Sequence, residues 1–256
     1  MSGNTLPFLR RIEEAGLNNL HTRRQLLYDG WLLFLLPGKA KRARSVNPHF
    51  GSTLPLDDKI AHCERVYAQH GLPALFRLTP FAQPEAIDRE LAARGYVTFD
   101  RTLVQTAALD APPAAMFDDP LVLEHPLLDA FVDAIGELRG SSPGQRAAHL
   151  ERLAQSPLDL RAVIARIDGA VVGAGLVSVE GPLAGVFDVG TAPALRGKGI
   201  GTAVVAALLA RAWERGARHA FLQVTADNAP ALAIYRRFGF TTAYTYRYRA
   251  LPEHCE

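Results

Sequence analysis

Residues 195–205 read LRGKGIGTAVV. Glycines 197, 199 and 201 stand at alternate positions, Arg196 and Lys198 sit between them, and the chain then runs into an apolar, helix-like stretch. The preceding segment LAGVFDVGT (183–191) has the apolar content of a strand. Strand, glycine turn and helix start together form an anion site, because free backbone N–H groups and the positive end of the helix dipole converge where glycine allows close approach. Phosphate is the natural guest. A tight turn with no ligand would use the same glycines, but it would not need the two flanking cations. The stretch is not a dinucleotide fingerprint, since Thr202 and Val204 occupy the places where the last glycine of G-x-G-x-x-G would stand, and it is not a P-loop, since Lys198 is followed by Gly199.

Working outward, the neighbourhood of this loop echoes an earlier part of the chain. GLPALFRLT (71–79) matches GARHAFLQVT (216–225): glycine, a short spacer, then an apolar strand ending in Thr. Each is preceded by a helical pattern, LDDKIAHCERVYAQH (56–70) and GTAVVAALLARAWER (201–215). Each is followed by a helix ending in a glycine–aromatic pair, Gly95-Tyr96 and Gly239-Phe240, and then by an alternating strand, VTFDRTLVQTAAL (97–109) and TTAYTYRYRAL (241–251). The order helix, strand, helix, strand therefore occurs twice, which predicts two related α/β units. Paired prolines in LDAPPAAMFDDP (109–120) interrupt both periodicities and place the boundary between residues 1–112 and 113–256. The second unit opens with two helical patterns (127–138 and 143–155), and RAVIARIDGAVVGAGLVSVEG (161–181) reads as two strands around an Asp168-Gly169 turn. The first unit opens with a helix over 9–20, and residues 30–46 read as two strands around Pro37-Gly38.

Composition narrows the function. The 256 residues are 48% hydrophobic and 21% charged, and 28 Lys+Arg against 26 Asp+Glu leave a formal charge of +2, which is no polyanion-binding signature. Cys63 and Cys255 are far apart and suggest neither a disulfide framework nor a zinc site, so no metal is expected and a reducing compartment fits. The N-terminus lacks an apolar signal core, and WLLFLL (31–36) is far short of the ~20 residues that cross a bilayer. The expectation is a cytoplasmic protein with no membrane partner. The basic run GKAKRAR (38–44) could attract a polyanion, but a hairpin edge carrying Lys and Arg is the commoner cause, and nucleic acid is not an expected partner. A homodimer stays open.

Arg196, Gly199 and Gly201 match the R/Q-x-x-G-x-G/A motif of the GNAT superfamily, and NAPALAIYRRFGF (228–240) resembles that family's Asn-x-x-Ala-x-x-x-Tyr-x-x-x-Gly-Phe segment through Asn228, Ala231, Tyr235, Gly239 and Phe240. The two motifs stand in the family's order, and the resemblance covers about residues 115–250. It implies a mixed α/β fold of two GNAT-like units, each a mostly antiparallel sheet flanked by helices, and an N-acetyltransferase using acetyl-CoA. By resemblance, the pyrophosphate would lie on the amides of Arg196, Gly197, Lys198, Gly199, Ile200, Gly201 and Thr202, and the pantetheine would pair with main chain at Val189 and Thr191. Asn228, a good helix cap before Pro230, is carried along as a binding residue. Tyr235 shares a helix face with Ala231 and Phe238, the spacing of a core aromatic; the family places that hydroxyl by the CoA sulfur as proton donor.

Many members remove the amine proton with a strand-four Glu. Here Asp188 is the candidate, directly or through water, with Glu180 earlier on the chain and His125 and His219 as lone histidines. The first-half counterpart of the loop, NPHFGSTLPLDDKI (47–60), has one glycine and carries Asp57 and Asp58 where a phosphate wants donors, so that half resembles a degenerate copy that does not bind CoA. The acceptor would be a primary amine on a small molecule or peptide, attacked directly because no cysteine lies near the motifs. A CoA-binding sensor without chemistry, or an aminoacyl-tRNA-dependent tandem transferase, remain alternatives.

Overall fold

The computed structural model describes residues 5–20, 22, 24–38, 40–114 and 120–255. Lys39 of the basic run and residues 115–119 of the boundary segment lie outside the described residues. In chain order the elements are α1 (Leu6–Asn18), β1 (Gln25–Tyr28), β2 (Trp31–Phe34), β3 (Val46–Asn47), α2 (Leu56–Gln69), β4 (Phe76–Leu78), α3 (Ile87–Ala93), β5 (Val97–Ala108), β6 (Val122–Glu124), α4 (Leu128–Arg139), α5 (Pro143–Ala154), β7 (Asp159–Ile167), β8 (Ala170–Glu180), β9 (Leu183–Thr191), α6 (Ile200–Glu214), β10 (His219–Thr225), α7 (Ala229–Arg237) and β11 (Thr241–Ala250).

The echo in the sequence is an echo in backbone chemistry. Helices α2, α3, α6 and α7 each run into a glycine of positive φ, namely Gly71, Gly95, Gly216 and Gly239. In each case the next residue donates its N–H back to the carbonyl five positions earlier: Leu72 to Tyr67, Tyr96 to Leu91 and Ala217 to Ala212 at 3.0 Å, and Phe240 to Tyr235 at 3.3 Å. Glycine tolerates the left-handed conformation that this Schellman stop requires.

Two compact units result, one of Met1–His21 with Val104–Ala243, the other of Thr22–Leu103 with Tyr244–Glu256. The division expected at 112/113 is therefore not the division by compactness. In the first, β6, β7, β8 and β9 form an antiparallel ladder and β10 runs parallel to β9, with α6 as the crossover. Helix α6 lies close on β8 because Gly173 and Gly175 leave room: a Cβ there would stand 2.8 Å from Ile200 Cγ2 and 2.7 Å from Leu208 Cδ1. Helices α4 and α5 close a core of Phe131, Val132, Ile135, Leu153, Ala162, Ala174 and Leu176. Helix α1, expected in the first half, belongs here: the Phe8 ring meets His219 at 5.0 Å, and Arg11 and Asn18 donate to Glu180 at 3.2 and 3.0 Å.

The second unit repeats the scheme. Strands β1, β2 and β3 are antiparallel, β4 runs parallel to β3 with α2 as the crossover, and β11 pairs antiparallel with β4 through Arg247↔Leu78 to Arg249↔Phe76. Its core holds Trp31, Leu33, Val46, Ile60, Tyr67, Phe76, Leu91 and Tyr96. Two expectations are corrected here. The tight hairpin turn is Asp29-Gly30, not Pro37-Gly38, because both residues take positive φ (42° and 83°) as the twist of a two-residue hairpin demands; the chain from residue 35 then loops back so that β3 can pair with β2. Nor is the basic run an exposed edge: Lys41–Arg44 form a 3₁₀ turn, Ala43 is buried, and Lys41 pairs with Asp100 and lies over the Phe99 ring. Both units are mixed α/β, with mostly antiparallel strands, and seven helices flank them among the described residues.

Candidate active site

The decisive irregularity lies in β9. Its parallel register with β10 runs from His219↔Leu183 to Leu222↔Val186. Its antiparallel register with β8 then slips: Leu176 faces Phe187, Ala174 faces Gly190, and Asp188 and Val189 share the single place opposite Gly175. This is a β-bulge, which leaves a residue unpaired and re-aims its side chain. Asp188 takes φ 51° and turns towards α4 and α5, where its carboxylate accepts from Arg139 Nη1 at 3.0 Å and sits 3.1 Å from His149 Nε2. Burial alone would raise the Asp188 carboxyl; the His149 hydrogen bond and the charges of Arg139 and Arg152 outweigh it and hold the group well below the usual carboxylate range. Val189 and Thr191 follow on the stretch that has left the β10 ladder.

Beyond Thr191, a 3₁₀ turn over Pro193–Leu195 leads into the glycine loop. Gly197 and Gly199 take φ 80° and 83°, and α6 begins at Ile200 with no side-chain cap. The first amides of a helix lack intrahelical partners, so those of Ile200, Gly201 and Thr202 are available to a ligand. Arg196, Gly197, Lys198 and Gly199 are exposed. Gly201 serves another purpose: a Cβ there would stand 2.9 Å from Ile234 Cδ1 and 3.3 Å from Thr191 Oγ1, so it lets α6 approach both α7 and the end of β9.

Helix α7 is fixed at its start by Asn228, whose side chain accepts from the Ala231 amide at 3.2 Å, and at its end by the Gly239 stop. Between them Tyr235 is half-buried, its ring 5.8 Å from that of Phe240. Burial raises its phenol, so the hydroxyl stays protonated, and among the described residues it has no hydrogen-bond partner. Arg236 and Arg237 are exposed.

Asp188, Val189, Thr191, residues 196–202, Asn228 and Tyr235 thus all fall in the unit holding Val104–Ala243. Sequence reasoning missed His149 and Arg139. His149 lies on a helix 39 residues before Asp188, and only the bulge brings the two together. Glu180 is engaged by Arg11 and Asn18, His219 meets the Phe8 ring edge-on, and His125 is exposed. Among the described residues no cluster of His, Cys, Asp and Glu could hold a metal ion, and no helix is long and apolar enough to cross a membrane.

At the corresponding β3–α2 crossover the second unit has filled its own cradle. The Asp29 carboxylate accepts from the amides of Thr53 and Leu54 at 3.0 Å and from Thr53 Oγ1 at 2.8 Å. Lys59, fully buried on α2 over the Trp31 ring, pairs with that carboxylate at 3.1 Å and donates to Ser52 Oγ.

The sequence profile of the Acetyltransferase (GNAT) family matches residues 127–240. An uncharacterized N-acetyltransferase, YobR, of Bacillus subtilis (strain 168) is 27% identical over 245 residues, covering 94% of this chain and 98% of its own length. Among solved structures, a GCN5-related N-acetyltransferase from Kribbella flavida superposes with a TM-score of 0.72 at 19% identity over 95% of both chains. A tandem GNAT protein from the clavulanic acid biosynthesis pathway gives a TM-score of 0.62 at 20% identity, over 75% of this chain and 68% of its own. With the loop, the α7 segment and the family profile in agreement, residues 127–240 form a GNAT-type acetyltransferase domain, and the fold as a whole is similar to that of GNAT structures.

Proposed function

We propose that the chain transfers an acetyl group from acetyl-CoA to a primary amine of a small molecule or peptide, by direct attack, at one site in the unit of Val104–Ala243. The observation that carries this reading is the coincidence, within one unit, of a β9 stretch off its parallel ladder, an uncapped helix start behind Gly197 and Gly199, and a half-buried phenol on α7. In this reading the main chain of Val189 and Thr191 pairs with the pantetheine as an added strand would, and the amides from Arg196 to Thr202 take the pyrophosphate. Asn228 holds α7 so that Tyr235 reaches the departing sulfur. The second unit takes no CoA because Asp29 already satisfies the Thr53 and Leu54 amides. A reducing cytoplasm suits the two free cysteines, Cys63 and Cys255.

Titration calorimetry with acetyl-CoA is the test. One molecule should bind per chain, and Gly199→Glu, which puts a carboxylate and a strained φ into the cradle, should abolish binding. Two sites, or unchanged binding in that variant, would overturn the assignment. CoA release with a panel of primary amines then separates an enzyme acting on an amine from a protein that only senses acyl-CoA.

A further inference from the structure

Resting on the acyl-transfer reading, we infer that His149 is the base that takes the proton from the attacking amine, with Asp188 as its positioning residue. The bulge aims Asp188 at α4 and α5 from the point where β9 has left the β10 ladder, next to the main chain assigned to the pantetheine.

Asp188 is itself badly suited to the work. One carboxylate oxygen is taken by Arg139 Nη1 and the other by His149 Nε2. Even an unengaged carboxylate is roughly 10⁶-fold less basic than a lysine-type amine. What a fixed carboxylate does well is hold an imidazole. Donation from Nε2–H to Asp188 sets the tautomer and leaves the lone pair on Nδ1, while Arg139 keeps the carboxylate ionised so that it stabilises the imidazolium formed. The ring is further fixed by Phe131 of α4, edge-on with centroids 6.3 Å apart. Helix α5, which carries His149, is anchored by a Ser142–Gln145 capping box and by Leu153 in the core. The charged groups facing this pair are Asp188 from β9, Arg139 from α4 and Arg152 of α5. The His149 side chain is 15% exposed, so solvent reaches it.

An N–H bond of the ammonium breaks as Nδ1–H forms on His149, and the nitrogen lone pair forms the C–N bond at the thioester carbonyl. The C–S bond breaks with its electron pair on sulfur, which takes the Tyr235 proton. The second nitrogen proton returns to Tyr235, and His149 releases its own to solvent. The products are an acetamide, CoA thiol and one proton.

The test needs no known acceptor. The intact protein is treated with diethyl pyrocarbonate and the modified histidines are mapped by peptide mass spectrometry, alone, with saturating acetyl-CoA, and with adenosine 3′,5′-bisphosphate, which lacks the pantetheine. Acetyl-CoA should slow modification of His149 about fivefold or more, and the bisphosphate should leave it unchanged. If calorimetry records acetyl-CoA binding but His149 reacts at its free rate, the base lies elsewhere and the inference falls while the binding assignment stands; absence of binding instead overturns the assignment beneath it. For the first amine found to turn over, His149→Gln should lower kcat/KM about 10²–10⁴-fold near neutrality and recover towards pH 10, where the amine loses its proton unaided. A loss equal at every pH would mark a packing role and overturn the inference.

Discussion

At Tyr235 two demands meet on one side chain. The ring covers Phe240 below a Schellman stop, and the hydroxyl has no partner among the described residues. Tyr235→Phe keeps the first role and deletes the second. It should leave melting temperature and acetyl-CoA affinity nearly unchanged while turnover falls about 10²–10⁴-fold; near-normal turnover would take the phenol out of the mechanism. Asp29 makes a different prediction. Its carboxyl lies below the unfolded value, through the Leu54 amide first, against the effect of burial, and then through Thr53 and Lys59. A lowered folded pKa stabilises the protein above the unfolded carboxylate range, about 3.9, and that contribution is lost as pH falls through and below it. Urea unfolding of the parent and Asp29→Asn should therefore differ most near pH 7 and converge as pH drops towards 3; a constant gap would mean that the loss is steric. The glycine turn before α6, the Asn228 cap and the Gly239 stop were legible in the sequence because each lies within a dozen residues and its local geometry follows from residue type. His149 was not, because its partner is chosen by a slip in the β8–β9 ladder that no local pattern records.

Among the elements, the helix–strand–helix–strand echo was readable because glycine stops and alternating strands are local signals. The β1–β2 turn was misread because Pro37-Gly38 and Asp29-Gly30 both carry turn chemistry. Only the second supplies two consecutive positive-φ residues. Tertiary contact decides other glycines. Gly175→Val would bring a Cβ to 2.7 Å from Leu208 Cδ1 and 2.9 Å from Val204 Cγ1, forcing α6 off β8. It should destabilise the protein by about 1–3 kcal/mol or more, read as a lowered urea midpoint. Gly197→Ala meets no neighbour within 4 Å and should cost only the strain of its left-handed backbone, about 1–2 kcal/mol.

For the molecule as a whole, two sequence repeats do not become two contiguous domains. Residues 1–21 join the unit of 104–243, the Leu109 amide donates to the Arg218 carbonyl at 2.8 Å, and β11 pairs with β4 in the other unit. A cut at 112/113 divides both units. Fragments 1–112 and 113–256 expressed separately should show no cooperative thermal transition; two sharp, independent transitions would show that each half suffices by itself. The sequence could not reveal this, since the final strand of each repeat looks equally suited to either partner.

The pairing of β11 with β4 also sets a clock. During translation residues 22–103 leave the ribosome early, yet the strand that covers β4 follows only after residues 104–243 have been made. At ordinary elongation rates that is a wait of roughly ten to thirty seconds. Throughout it the nascent chain holds an unpaired strand edge beside a core built on Trp31 and Phe76. Production of this protein should therefore depend on what shields that edge during synthesis as well as on the stability of the finished fold.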